Sequence, residues 1–401
     1  MRQFHIFIVA LFSAAAFAHQ DSTFMQMDSI EGWRFTTIDS VGITSVKDQH
    51  HSSTCWAYSA LGFLESEVLR KKGILVDFSE MFVVNKTMVD RATYCVRLYN
   101  EPRFAPGGSS YDVIYCMSHY GLVPQEVMPG IKYGWTSADT LPVHSELDRV
   151  AGGYIQSLHG LKKLSPIWKD GLQAIYDTYL GKCPSEFIYE GKSYTPLSWV
   201  NSLGLKEDDY VSITSYTHHP FYQRFALEVP DNWRMDMMYN VPIDDLIRII
   251  DNALASGYTL VWAADVSEIG FTREGVGVVP EGESGADKTG SYMNKWVGLS
   301  DEKKIAELTK KPLAEKSITQ EMRQSAFDNW ETTDDHGMQI FGIAKDQFGK
   351  RYYMIKNSWG VICTDYQGIW YVSEAYMRYK TNDILVHKEA IPKDIQKKLG
   401  L

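Results

Sequence analysis

Four residue types in this chain are those from which thiol-based acyl transfer is assembled: Cys55, His336, Asn357, and Gln49 six residues before the cysteine. A thiolate is a strong nucleophile, and an imidazole can take the thiol proton and return it to a leaving group. A carboxamide can orient that imidazole without carrying a charge of its own. A second carboxamide, with the Cys55 backbone N–H, can face a developing oxyanion. Taken singly, each residue has a plainer reading: core cysteine, surface histidine, turn asparagine, exposed glutamine.

The elements that must carry them are legible. Ala57, Leu61, Leu64 and Val68 recur at helical spacing after Cys55, Ser52, Ser53 and Thr54 offer caps, and Gly73 offers a stop after Arg70-Lys71-Lys72. A cysteine at a helix N-terminus feels the positive end of the dipole, which favours thiolate. His336 to Ala344 alternates as a strand, Asp346 to Gly349 reads as a turn, and Arg351 to Asn357 as the returning strand. A turn centred between Gln347 and Phe348 sets His336 opposite Trp359, with Asn357 two residues along on the same face. Such diagonal neighbours lie about 7–8 Å apart. The order Gln-x5-Cys-Trp … His-Gly-Met … Asn-Ser-Trp-Gly thus points to a cysteine-peptidase site.

At these residues the chain resembles the papain-like cysteine peptidases, and more specifically their bleomycin hydrolase and aminopeptidase C branch. The matching landmarks are Val46-Lys-Asp-Gln49, Thr54-Cys-Trp56, Phe78-Ser-Glu-Met81, Gly107-Gly108 with Asp112, Gly121-Leu-Val-Pro124, Asp335-His-Gly-Met338 and Lys356-Asn-Ser-Trp-Gly360. The resemblance implies an α+β, papain-like two-lobe fold, with a helical lobe carrying the nucleophile and a β-rich lobe carrying His and Asn. It implies Cys55 as nucleophile, His336 as general base and acid, Asn357 as its orienter and Gln49 in the oxyanion hole. Gly107 and Gly108 would line the cleft and pair with an extended substrate, while Trp359 would shield the His–Asn contact. In that branch the C-terminal arm lies in the cleft, its carboxylate meeting the substrate's amino group, which makes Leu401 a substrate-binding candidate. Two departures stand out: Ser53 and His50 occupy positions where the family usually has glycine.

Cys55 and His336 are 281 residues apart, more than a minimal two-lobe fold needs, so insertions are expected roughly within 130–240 and 275–325. Pro184 to Arg234 shows little periodicity; Val241 to Ile250 reads as a helix, followed by the strand Tyr258 to Ala263, a pair suited to the start of the second lobe. Gly275 to Gly290 reads as a loop and Asp301 to Arg323 as a charged helix. Residues 1–18 read as a signal peptide, with Arg2, an apolar run from Phe4 to Phe17 and an Ala16-Phe17-Ala18 cleavage site, leaving 19–401 as one peptidase domain. Export to a periplasm or to the outside follows, with no membrane association after cleavage.

With 44 % hydrophobic residues and a formal net charge of −10, the composition excludes a disordered tail and argues against nucleic acid as a partner. Peptides are the expected substrates; the resemblance adds homo-oligomer contacts. Neither metal nor organic cofactor is required, and the adjacent pairs His50-His51 and His218-His219, which diverge on a strand or helix, make poor ligand sets. Five cysteines leave at least one unpaired, while Cys95, Cys116, Cys183 and Cys363 allow two disulfides or four free thiols. The preferred expectation is an exported thiol aminopeptidase working through a thioester. The alternatives are an endopeptidase with the same site and a catalytically silent peptide binder.

Overall fold

Helices dominate the first half of the chain and strands the second, the segregation expected of an α+β protein. The computed structural model describes residues 32–50, 52–101, 103–130, 140–281, 300–310, 312–364 and 366–401, with 140–143 as backbone only. The expected signal peptide and His51 lie outside these residues. Strand β1 (Phe35–Ser40) is followed by α1 (Cys55–Lys72), α2 (Glu80–Arg97), α3 (Ser110–His119), α4 (Thr140–Leu158) and α5 (Trp168–Leu180). A small hairpin, β2 (Phe187–Tyr189) and β3 (Lys192–Tyr194), leads to α6 (Pro196–Leu203), β4 (Tyr210–Thr214), β5 (Arg224–Ala226) and β6 (Met237–Asn240). Then come α7 (Ile243–Ala255), β7 (Leu260–Ala264), β8 (Val276–Gly277), α8 (Asp301–Lys310) and α9 (Gln320–Asp328). The chain closes with β9 (His336–Asp346), β10 (Arg351–Lys356), β11 (Ile369–Ser373), α10 (Glu374–Lys380), β12 (Thr381–His387) and α11 (Lys393–Leu399).

One mixed sheet, in the order β5-β6-β4-β12-β7-β9-β10-β11-β8, forms the second lobe, with β1 paired to the far half of β9. Its two faces can be read from alternation along the strands. On β7, Val261 joins the first core with α1 to α6, whereas Leu260, Trp262 and Ala264 join the second core with α7 and α11. On β12, Leu385 joins the first core and Ile384 and Val386 the second. Helix α1 is buried on nearly all sides from Trp56 to Val68, including Glu65 and Glu67, because it lies between the helical layer and this sheet. Glu65 is held by Lys47 at 3.1 Å, and Glu67 by Arg70 at 2.8 Å.

Several expectations change. Residues 140–203 form a helical layer on α2, tied by Asn85 Nδ2 to Asp177 Oδ1 at 3.2 Å and to the Gly181 carbonyl at 3.1 Å. Residues 210–240, however, supply three strands of the main sheet, so the second lobe begins before the helix at 243. These strands hold three to five residues, too short for alternation to show. The single helix expected over 301–323 is two helices; between them Glu315 pairs with Pro280 and accepts from Ser373 Oγ at 2.5 Å. The loop expected at Gly275 to Gly290 includes strand β8, and its part from 282 onward lies outside the described residues.

The junction of α1 with β9 is made by small and polar side chains. Gln339 Nε2 reaches the Gly62 carbonyl at 3.2 Å, Ser66 Oγ at 2.9 Å and Thr259 Oγ1 at 3.1 Å. A Cβ on Gly337 would come 2.8 Å from Ser59 Oγ and 3.4 Å from Trp56 Cα. Gly337→Ala should therefore push α1 off the strand and cost about 1–3 kcal/mol, read as a lowered midpoint in denaturant unfolding. An unchanged midpoint would show that the junction has slack.

Candidate active site

Cys55 is the first residue of α1, as the spacing predicted, and Gly73 closes that helix in the left-handed conformation. Thr54 holds the N-cap position but makes no cap bond; its hydroxyl lies 2.5 Å from Ser52 Oγ. The first intrahelical bonds run from Ala57 N and Tyr58 N to the Thr54 carbonyl, at 2.9 and 3.2 Å. The amides of Cys55 and Trp56 are thus left facing outward, where an oxyanion or thiolate can use them.

The hairpin brings the other two residues together. Near the turn the register is Tyr352↔Ala344 and Met354↔Gly342, one residue off the expected pairing. A bulge in β9 then shifts it to Ile355↔Ile340 and Lys356↔Gln339, which is the expected pairing. His336 Nε2 lies 2.7 Å from Asn357 Oδ1, and the Trp359 indole stacks on the imidazole with centroids 4.7 Å apart. Asn357 Oδ1 also accepts from Ser358 N at 2.7 Å, so that atom is the carbonyl oxygen and His336 carries its proton on Nε2. The network therefore leaves Nδ1 as the basic nitrogen.

Gln49 is buried and held from both ends. Its N–H donates to the Ser358 carbonyl at 2.8 Å and its Oε1 accepts from Ser358 Oγ at 2.5 Å. With Oε1 so occupied, Nε2 is the end left for a substrate oxygen. Cys55 and His336 line one pocket, without a hydrogen bond between them in this resting arrangement. Burial pushes the Cys55 thiol up to about 12, with Asp231 and Asp334 adding to it and the amides of Gly337 and Trp56 opposing. Burial likewise lowers His336 to about 4, against the Asn357 hydrogen bond and Asp335. Burial thus opposes the charged form of both groups and works against the helix-stabilised thiolate that the sequence suggests.

Gly108 lines the same pocket, and Gly107 lies beside it against Asp231. A Cβ on Gly107 would collide with the Asp231 carboxylate, and one on Gly108 would come 2.9 Å from the Trp56 ring. Arg91 donates to the Gly107 carbonyl and Trp56 Nε1 to the Pro106 carbonyl at 3.3 Å, fixing this loop. Leu401 is placed elsewhere. Ile395 and Leu399 of α11 are buried in the second core, and Arg248 of α7 bonds Asp394 at 3.0 Å. Leu401 itself is 40 % exposed and caps its own helix through its N–H to the Gln396 carbonyl at 3.0 Å. The apolar side of α11 thus pulls the terminus onto α7, on the sheet face opposite α1 and away from the pocket.

Sequence reasoning missed three pocket residues, Asp231, Asp334 and Asp383. The Asp334-Asp335-His336 run was the available signal for one of them. The remaining cysteines are free thiols, with Cys95 and Cys116 buried. His218 and His219 do not diverge as expected. They sit in a turn, and both Nε2 atoms meet Glu228, at 3.1 and 3.2 Å. This exposed trio is the only group among the described residues spaced like metal ligands. No helix among the described residues is long and apolar enough to cross a membrane.

His50 and Ser53 adopt φ of 49° and 54°, the left-handed region where glycine is at ease. Ser53→Gly should raise stability by about 1 kcal/mol in denaturant unfolding, and a loss would show that the serine side chain outweighs the strain. The lowered pKa of His336 keeps its basic form present down to about 4, so kcat/KM on an uncharged peptide should fall only below that pH. An acid limb at the ordinary value of 6.5 would contradict the burial argument.

Residues 32–95 match the family model of papain family cysteine proteases, a stretch holding Gln49 and Cys55 but neither His336 nor Asn357. The chain is 49 % identical over 43 residues to cathepsin L1 of Drosophila melanogaster, covering 11 % of this chain and 12 % of that protein. It is 40 % identical over 62 residues to procathepsin L of Felis catus, covering 16 % and 18 %. These matches therefore span under a fifth of either relative. PepW of Lactobacillus rhamnosis HN001 superposes with a TM-score of 0.65 at 17 % identity, over 95 % of this chain and 86 % of that one. Over residues 32–95, the segment that carries Cys55, the chain is thus similar in sequence to papain family cysteine proteases, and over nearly its whole length it is similar in fold to PepW.

Proposed function

We propose that this protein is an exported cysteine peptidase that cleaves peptide bonds through a thioester. The observation that carries the reading is the His336 Nε2–Asn357 Oδ1 contact of 2.7 Å beneath Trp359, on the pocket shared with Cys55. Cys55 Sγ attacks the scissile carbonyl while His336 Nδ1 takes the thiol proton. The oxyanion is met by the Cys55 amide and Gln49 Nε2. Collapse breaks the C–N bond, the proton passes from His336 to the leaving amine, and a thioester remains. Water, deprotonated by the same imidazole, then hydrolyses it. Export rests on the reading of residues 1–18 as a signal peptide.

Exopeptidase action was expected to depend on the C-terminal carboxylate. Leu401 follows α11, whose Ile395 and Leu399 pack in the second core, and is not among the residues lining the pocket, so the expected contact of Leu401 with the substrate's amino end has no support here and the endopeptidase alternative stays open. A fluorogenic peptide with a free N-terminus and its acetylated twin separate the two. Wild type should cleave at least one of them, and Cys55→Ala should lower kcat by about 10⁴-fold or more. Cleavage of the free form alone means aminopeptidase action; cleavage of both means an endopeptidase. Unchanged turnover in Cys55→Ala would remove the thiol from the mechanism.

A further inference from the structure

The edge of the sheet that carries β5 and β6 holds a group of ligating side chains that the peptidase chemistry does not use. The chain leaves β4 at Thr214, turns through His218 and His219, and enters β5 at Arg224, with Glu228 two residues beyond that strand. Neighbouring residues of a strand or helix diverge, but this turn sends both imidazoles the same way. His218 Nε2 lies 3.1 Å from Glu228 Oε2, and His219 Nε2 lies 3.2 Å from Glu228 Oε1. The three ligand atoms all fall within 4.8 Å of one another, and the group is open to solvent. Two imidazole nitrogens and a carboxylate oxygen are a donor set that suits zinc. Tetrahedral zinc, with bonds of about 2.0–2.2 Å, sets its ligand atoms about 3.4 Å apart.

Side chains from three segments hold the group in place. The His219 ring stacks on Phe225 at 4.2 Å, and the His218 ring meets Phe225 edge-on at 5.4 Å and stacks on Phe327 of α9 at 5.8 Å. The buried Asn240 clamps the backbone of the turn: its Nδ2 donates to the Tyr216 and His219 carbonyls at 2.7 and 2.9 Å, and its Oδ1 accepts from Tyr216 N at 2.9 Å. Beside Glu228, the Leu227 carbonyl accepts from Val229 N at 3.0 Å and Asn232 Nδ2 at 3.1 Å. Gln324 of α9 backs His218. Its Oε1 accepts from Thr217 N at 2.6 Å and its Nε2 donates to Asp328 Oδ1 at 2.9 Å, which fixes the amide's orientation. Both ends reach His218 Nδ1, Oε1 at 3.3 Å and Nε2 at 3.1 Å. Gln324 can therefore donate to a bare Nδ1 while Nε2–H meets Glu228. It can equally accept from Nδ1–H, which frees the Nε2 lone pair for a metal and supplies the outer partner that a ligating histidine needs.

We propose that His218 Nε2, His219 Nε2 and one carboxylate oxygen of Glu228 bind a divalent transition-metal ion of the zinc class, with water completing the coordination. This site goes beyond the peptidase reading and stands without it. On binding, each Nε2 proton leaves for solvent and two hydrogen bonds give way to metal bonds. Calcium and magnesium, which take oxygen ligands, are poor occupants of a site with two imidazoles. The location gives the ion a consequence. Glu228 runs straight into Val229, and Val229, Asp231 and Asn232 line the pocket that holds Cys55 and His336. A bound ion would tie the turn after β4 to that wall of the pocket.

Calorimetric titration of zinc sulfate into the full chain, stripped of metal by a chelator, tests the site. Cys55→Ala serves as the background, so that the catalytic thiol cannot take the ion. One equivalent should bind, and His218→Ala and Glu228→Gln in that background should each weaken binding by about tenfold or more. A hundredfold excess of zinc over its Kd should raise the melting temperature of the parent by about 2 °C or more and leave both variants unmoved. Cobalt(II) gives a readout that needs no ligand variant: visible d–d absorption without a thiolate charge-transfer band is expected for nitrogen and oxygen ligands. A thiolate band would put the ion on Cys95, Cys116, Cys183 or Cys363 and overturn the proposal. Failure of the parent to bind zinc, or equal binding by both variants, would overturn it too and leave the three side chains as a hydrogen-bonded group only.

Discussion

The site depends on one packing constraint: a helix buried on nearly all sides must start where the central strand starts. Helix α1 crosses β9 on Gly337 and Gln339, so the N-terminus of one and the first residue of the other meet, and Cys55 and His336 come to one pocket. Burying α1 also buries Glu65, and Lys47 answers it at 3.1 Å while holding Glu80 at 2.6 Å. Lys47 lies two residues before Gln49, so the ion pair that makes the buried helix tolerable also pins the loop carrying Gln49. A buried pair of this kind adds little net stability, but breaking it is expensive. That asymmetry suits a hinge point that must not move.

The parts legible in the sequence were those governed by local rules. The helix from Cys55 to the glycine after Lys72 follows from apolar spacing and a left-handed stop, and the β9–β10 hairpin from two strand patterns around a turn. The Gln49, Cys55, His336 and Asn357 set was legible because its residue types have few other reasons to occur in that order. What escaped were features set by tertiary burial. The short strands β4, β5 and β6 have too few residues to alternate, and one helix was read across residues 301–323 because charge spacing does not mark where a chain turns to pair with another segment.

Chemistry beyond the tetrad was hidden for the same reason. Asp383 sits in a strand, and nothing local distinguishes it from a solvated aspartate; only the pairing of β12 with β7, and β7 with β9, brings it to the pocket. The burial that opposes a Cys55 thiolate was hidden too, because a helix terminus is visible in sequence and desolvation is not. Leu401 was assigned to the cleft by analogy, whereas Ile395 and Leu399, spaced four apart on α11, already carried the signal of a docked helix.

The bulge in β9 has its own evolutionary consequence. On the His336 side of it, Met338 and Ile340 face the second core; on the turn side Ile343 does, and Ala344 faces a third core with Phe341. A single extra residue thus resets which face the strand presents. Loop tips absorb length changes more easily than strands do, so the turn around Gln347 tolerates them at the cost of its side-chain bonds to Gly32 and Arg34. Within the strand, between Gly342 and His336, one residue gained or lost would turn the imidazole away from Asn357. Length variation in this hairpin should therefore be confined to its tip, or arise as paired changes that restore the count.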